Sequence, residues 1–218
     1  VETKSLMTLI DNPSTEAVQS DVPTHITEDE YLAVYAEQGY EWNDGELIAM
    51  SPVELENYRL IQYLQMLLRV YFEMNPIGEV LGEPFMMRVA PRRYREPDLM
   101  VVLNGNPHLT NTGLMGAADV CIEIVSPESI ERDYGKKLVE YEQLGVPEYW
   151  IFDPDRKASN FHRLNETGIY VPALAGENNI YQTPLLPKLK LDIARLWRKP
   201  FPTIVETLEI VKTMLAQA

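Results

Sequence analysis

Two acids stand where an acid is costly. Asp98 follows Pro97 at the head of the apolar run Leu99-Met100-Val101-Val102-Leu103, and Glu123 lies inside Cys121-Ile122-Glu123-Ile124-Val125. A carboxylate in so apolar a strand loses its hydration and needs something that neutralises it. If the two strands are neighbours that begin near the same edge, the acids converge, and converging carboxylates suit a hard cation of the magnesium type. The other reading is structural, with Pro97-Asp98 as turn chemistry and Glu123 paired with a buried arginine.

The segment Arg132-Asp133-Tyr134-Gly135-Lys136-Lys137-Leu138-Val139-Glu140-Tyr141 adds a cation. Lys137 lies one helical turn before Tyr141, on the face that should pack toward the sheet, and Lys136 is a step off that face. An ammonium turned toward a carboxylate pair holds a scissile phosphate and helps lower the pKa of a metal-bound water. Otherwise Lys137 makes a surface pair with Asp133, worth of the order of a few tenths of a kcal/mol. Arg88, Arg92, Arg93 and Arg95 form the densest basic cluster, just before Asp98. They either grip phosphates beside the metal or form a solvated loop that offsets nearby acids.

These residues need elements to hold them. A chain of 218 residues, 45% hydrophobic and 24% charged, is long enough for one domain with a sizeable core. Residues 1–25 lack periodicity and read as an extended or flexible arm, leaving a single domain over residues 26–218. Thr27 and Glu30 have capping-box spacing for a helix that runs to Gln38 and stops at Gly39. Asn43-Asp44-Gly45 predicts a hairpin turn. Leu60, Ile61, Leu64, Leu67, Leu68, Tyr71 and Phe72 mark the buried stripe of the longest helix, over residues 54–74.

Strands are expected over residues 78–89, 98–103 and 119–125, the last two apolar enough to be central. A helix should follow Ser126-Pro127-Glu128-Ser129 as far as Leu144, with Gly145 as its left-handed cap. A core strand over residues 149–153, a hairpin over 156–173 and a closing helix from Phe201 complete the pattern. Helices alternating with strands give an α/β or α+β class, with a mixed central sheet flanked by helices.

Nineteen Lys and Arg against 33 Asp and Glu give a net charge of −14, which disfavours a sequence-blind nucleic-acid coat. It leaves room for acidic nucleases, whose metal-binding carboxylates add negative charge. The lone Cys121 cannot form an internal disulfide, so a reducing cytoplasm is expected, and no apolar run nears the ~20 residues that span a bilayer. Val1-Glu2-Thr3-Lys4 shows no basic segment followed by an apolar one, so no signal peptide is expected. His25, His108 and His162 lack ligand spacing, Asp153 reads as a turn-forming acid, and Cys121, Tyr149 and Trp150 read as core.

Taken together, Glu96-Pro97-Asp98-Leu99, Val120 to Pro127, Arg132-Asp133, Lys137 to Tyr141 and Gly145 to Pro154 resemble the bacterial family of putative restriction endonucleases within the PD-(D/E)XK nuclease superfamily. The resemblance runs from about Tyr31 to Leu196. It implies a restriction-endonuclease-like core and metal-dependent phosphodiester cleavage, with Asp98 and Glu123 as magnesium ligands and the Ile124 carbonyl completing the site. Manganese would substitute for magnesium. The sequence departs from the superfamily twice. Val125 stands where the lysine two residues after the glutamate is usual, so by resemblance Lys137 takes that role. Asn57 stands about where the family often shows a histidine, which makes the neighbouring Glu56 a weak candidate for an outer ligand.

The expected activity is thus a magnesium-dependent endonuclease acting on DNA, with Asp98, Glu123 and Lys137 catalytic and Arg92, Arg93 and Arg95 on the substrate. A homodimer is expected, since cutting two strands with one domain calls for two copies. The competing expectation is a catalytically inactive nuclease-fold module that binds nucleic acid or a protein partner.

Overall fold

The computed structural model describes residues 25–50 and 53–216, and apart from His25 the arm expected over residues 1–25 lies outside the described residues. The Thr27 hydroxyl accepts from the Glu30 N–H while the Glu30 carboxylate accepts from the Thr27 N–H, the reciprocal cap its spacing predicts. The α-helical part is short, however. Helix α1 (Glu28–Glu30) widens at once into a π-helical turn, Tyr31–Tyr35. Strands β1 (Tyr40–Asn43) and β2 (Glu46–Ala49) then form the hairpin, with Asp44 and Gly45 both at positive φ as a type I′ turn requires.

Helix α2 (Leu55–Met74) buries Leu60, Leu64, Leu67 and Leu68. Beyond it come β3 (Gly78–Gly82), β4 (Met87–Ala90), β5 (Arg93–Arg95), β6 (Leu99–Leu103) and β7 (Val120–Ile124). The strand expected over residues 78–89 is therefore two strands in two different sheets. Pro84 has no N–H for a ladder, and the Phe85 N–H donates back to the Gly82 carbonyl at 3.2 Å, which closes a turn between them.

A second π-helical turn, Arg132–Lys136, leads into α3 (Lys137–Leu144), which ends at Gly145 with φ +88°. Strands β8 (Glu148–Asp153), β9 (Ala158–Leu164) and β10 (Tyr170–Pro172) follow. The pair β11 (Ile180–Tyr181) and β12 (Leu191–Asp192), α4 (Ile193–Leu196) and α5 (Ile204–Ala216) close the chain.

The central sheet has the order β10-β9-β8-β7-β6-β3, with β7 and β8 parallel and every other pair antiparallel. The parallel pair is what requires a crossover, and the segment carrying α3 supplies it. Alternation along β7 sends Val120, Ile122 and Ile124 to the face covered by α2, and Cys121 and Val125 to the opposite cluster with Tyr141 and Tyr149. Glu123 shares the parity of Cys121 and so faces α3. A smaller sheet, β2-β1-β5-β4, packs its own aromatic cluster of Tyr31, Trp42 and Tyr94. The expected class, a mixed sheet flanked by helices, is the one observed.

Candidate active site

The sheet register lines up the acids. Leu99 pairs with Ile122 and Gly82 pairs with Leu99, so one further step along each strand sets Glu83, Asp98 and Glu123 in a row across the ends of β3, β6 and β7. All three line one cleft of about 40 Å³, together with Asn57, Ile124, Arg132, Asp133 and Lys137. Four carboxyls against two cations leave its wall negative.

Asp98 is held from behind, its Oδ2 accepting from the Ile124 N–H at 2.5 Å. It sits partly open to the cleft among closely packed protein atoms, and loss of hydration pushes its pKa up to about 7, against the pull of the Ile124 N–H and of Lys137. Glu123 is buried. Its Oε1 accepts from Lys137 Nζ at 2.8 Å and from the Tyr141 hydroxyl at 2.8 Å. Burial drives its pKa up as well, Lys137 opposing and Asp133 and Asp98 reinforcing.

Lys137, 1% exposed, also reaches Glu41 Oε1 at 3.3 Å and Asp133 Oδ1 at 3.8 Å. Burial alone would lower its pKa, but Glu123, Glu41 and Asp133 together raise it, so it stays an ammonium.

The local fold explains how one helical segment supplies so many inward groups. Ser129, Asp133, Lys137 and Tyr141 recur every four residues, and all are buried. In an uninterrupted α-helix three such steps drift by about 120°, which would swing Tyr141 away from Ser129. The π-helical turn Arg132–Lys136 holds more residues and cancels that drift. Along the face, Ser129 Oγ donates to Asp133 Oδ2, and Lys137 and Tyr141 meet Glu123.

The three arginines expected at phosphates part company. Arg92 is exposed and pairs with Asp44, while Arg93 donates to Asn43 and to Glu140. Arg95 is buried, donating from Nη1 to Glu41 Oε2 at 2.9 Å and from Nε and Nη2 to the two Glu140 oxygens at 2.8 Å each. Glu56 faces solvent, paired with Arg59 and Lys199, and Asn57 takes the place on the cleft. Asn57 Nδ2 donates to the Val125 carbonyl at 3.1 Å, tying α2 to the end of β7.

Sequence reasoning missed Glu41, Glu83 and Glu96. Glu41 is buried between Lys137 and Arg95, and these two cations hold its pKa low against the opposing push of burial. Its signal in the sequence is an acid next to Trp42 in a strand too short to stand out. Glu96 is 1% exposed and neither of its side-chain oxygens has a hydrogen-bond partner among the described residues. Loss of hydration, with Glu83 and Glu41 adding to it, pushes its pKa up to about 8. An acid with a folded pKa above its unfolded one favours folding when protonated, and that contribution is lost as pH rises from about 4.5 to about 8. The melting temperature of the metal-free protein should fall by at least a few degrees from pH 5 to pH 8, and Glu96→Gln should flatten that fall. A Glu96→Gln profile parallel to the parent's would mean that Glu96 is not the group responsible.

Among the described residues no three His, Cys, Asp or Glu side chains form a metal-holding group by themselves. The donors that fit a hard cation are the carboxylates of Asp98 and Glu123 and the main chain of Ile124, which lines the same cleft. Magnesium usually binds through one or two carboxylates and keeps several waters, so this sparse oxygen set suits it. Both hydrogen bonds to Glu123 fall on Oε1, which leaves Oε2 as the oxygen for an ion.

A solved structure described as a putative nuclease belonging to DUF820 from Anabaena variabilis ATCC 29413 matches with a TM-score of 0.65, over 79% of this chain and 97% of that one. The two are 19% identical, so the likeness is one of fold. Curated proteins give no match. No helix among the described residues is long and apolar enough to cross a membrane. Residues 28–194, most of the chain, match the family profile Uma2, "Putative restriction endonuclease", and the chain belongs to that family.

Proposed function

We propose that the protein is a magnesium-dependent endonuclease that hydrolyses phosphodiester bonds of DNA and works as a homodimer. The observation that carries this reading is the convergence of Asp98, Glu123 and the buried Lys137 on one acidic cleft. Asp98, Glu123 Oε2 and the Ile124 carbonyl would hold the ion. When bound, the ion supplies a Lewis acid and a water acidic enough to attack at neutral pH.

The chain's own residues do the rest. The Ile124 N–H fixes one Asp98 oxygen, so the other is presented to the cleft. Lys137 and Tyr141 pin Glu123 from behind, and the buried ammonium adds positive charge close to the acids that would hold the ion. Arg95 and Glu41 serve as internal braces for Lys137, and Arg92 and Arg93, nearer the surface, are the arginines left to meet a phosphate.

One observation favours the second reading, a nuclease fold kept as a binding module. Lys137 is engaged by three carboxylates and is almost wholly shielded from solvent. Metal separates the two readings. Titrating manganese into the parent and into Asp98→Asn by calorimetry should give binding to the parent and about tenfold or more weaker binding to the variant. Equal heats from both, or none from either at millimolar metal, would remove the catalytic reading and leave the module.

A further inference from the structure

Arg95 is consumed by internal partners, so a polynucleotide that runs past Arg92 and Arg93 needs further cations elsewhere. The chain offers them beside the N-terminal half of α2. Asn57 and Ile61, one turn apart, line the catalytic cleft, and the adjoining face of the same helix, with Tyr58, Arg59, Gln62, Tyr63 and Met66, lines a separate groove of about 840 Å³. Lys199, Pro200 and Phe201 form its other wall. Cleft and groove are thus neighbouring faces of one helix, and a strand leaving the first can enter the second.

The groove has the two features that single strands use, cations and aromatic faces. Phe201 stacks on Tyr63 with ring centroids 5.0 Å apart and forms the floor. Tyr58 is 51% exposed and has no ring partner among the described residues, so its face is free for a base. Arg59 and Lys199 are exposed cations on the groove's walls in a chain whose net charge is −14. Arg59 and Lys199 share a single carboxylate, Glu56. That acid lies in α2, next in sequence to Asn57 of the cleft, and holds the two cations as a phosphate would.

We propose that this groove carries a DNA strand as it leaves the cleft, one phosphate displacing Glu56 from Arg59 and Lys199 and one base stacking on Tyr58. The proposal rests on the nuclease reading for the identity of the occupant. It assigns Glu56 a place outside the metal site, as an internal competitor for the phosphate. Removing its charge therefore strengthens binding, an effect in the opposite direction from the loss of a contact.

The test is fluorescence anisotropy of a labelled 16-nucleotide single-stranded DNA with chelator present, so that binding is read without cleavage. Tyr58→Ala and the double variant Arg59→Ala/Lys199→Ala should each weaken binding about tenfold. Glu56→Gln should tighten it about threefold. The double variant should also reduce the slope of log affinity against log salt by about 0.7, one phosphate contact's worth on a single strand. No measurable binding by the parent, or equal affinities and slopes in all variants, overturns the groove. So does a Tyr58→Ala variant that binds DNA like the parent but sediments as a smaller species, since the face would then join two copies.

Cleavage measured in magnesium on the same oligonucleotide keeps the two proposals apart. If the parent cuts and the groove variants cut with unchanged KM, the groove fails and the nuclease stands. If nothing is cut yet the affinities shift as stated, the nuclease fails and the groove stands.

Discussion

Asp98→Asn and Glu123→Gln should each lower the rate of DNA cleavage in magnesium by about 10³-fold or more, because an ion that has lost a charged ligand forfeits several kcal/mol of transition-state stabilisation. The geometry allows this loss without collapse. The amide oxygen of Asn can still accept from the Ile124 N–H, and that of Gln can still accept from Lys137 Nζ and the Tyr141 hydroxyl. For Asp98→Asn, whose carboxylate makes no ion pair among the described residues, folding should even improve. Both acids have pKa values raised chiefly by loss of hydration, Asp98 to about 7, so near pH 8 the folded chain bears carboxylate charges that the unfolded chain hydrates more cheaply.

The sign follows from linkage: a raised carboxyl pKa stabilises the fold at low pH and loses that contribution as pH rises toward the folded value. Metal-free Asp98→Asn should accordingly melt at or above the parent at pH 8 and close to it at pH 5. Cleavage by either variant at the parent's rate would show that the row of acids at the strand ends is not the catalytic site. A melting temperature well below the parent's would show instead that the charges hold the fold together.

How far the sequence foretold this arrangement depends on how local each part is. Asp98 and Glu123 announce themselves because each is one acid against an apolar strand, and pairing two such strands is enough to bring them together. Gly145 and the Thr27–Glu30 cap are equally local and appear where their spacing puts them. Glu41 could not be read this way. It reaches Lys137 from the smaller sheet, and nothing within a few residues of it encodes how that sheet docks on α3.

The split of residues 78–89 was open to reading, since Pro84 interrupts the run. The π-helical turn was not: its hint, polar or aromatic groups every four residues from Ser129 to Tyr141, becomes meaningful only once all four are known to face inward. The arginine cluster shows the opposite failure. Four arginines close in sequence look like one patch, but Arg92 sits in the turn between β4 and β5 and stays at the surface, while Arg95 at the end of β5 is buried against Glu41 and Glu140.

Lys137→Met should be the most damaging single change to the fold. It deletes the only ammonium among the described residues that touches Glu123, Glu41 and Asp133, leaving three buried carboxyls with less to neutralise them. Breaking a buried pair by removing one partner costs about 3–5 kcal/mol, which for a chain of this size is a fall in melting temperature of roughly 6–20 °C. Arg95 remains beside Glu41 and limits the damage there, so the uncompensated charge falls mainly on Glu123. Two further measurements separate charge from lost packing. The double variant Lys137→Met/Glu123→Gln should recover about 1 kcal/mol or more relative to the sum of the single changes, the coupling expected of residues in direct contact. The gap between Lys137→Met and the parent should also narrow at pH 5, where the abandoned carboxyls take up protons that the parent's ammonium makes unnecessary. If Lys137→Met melted within about 2 °C of the parent at pH 8, or if the gap failed to close on acidification, the ammonium would not be what stabilises this cluster, and its role would have to lie in the chemistry alone.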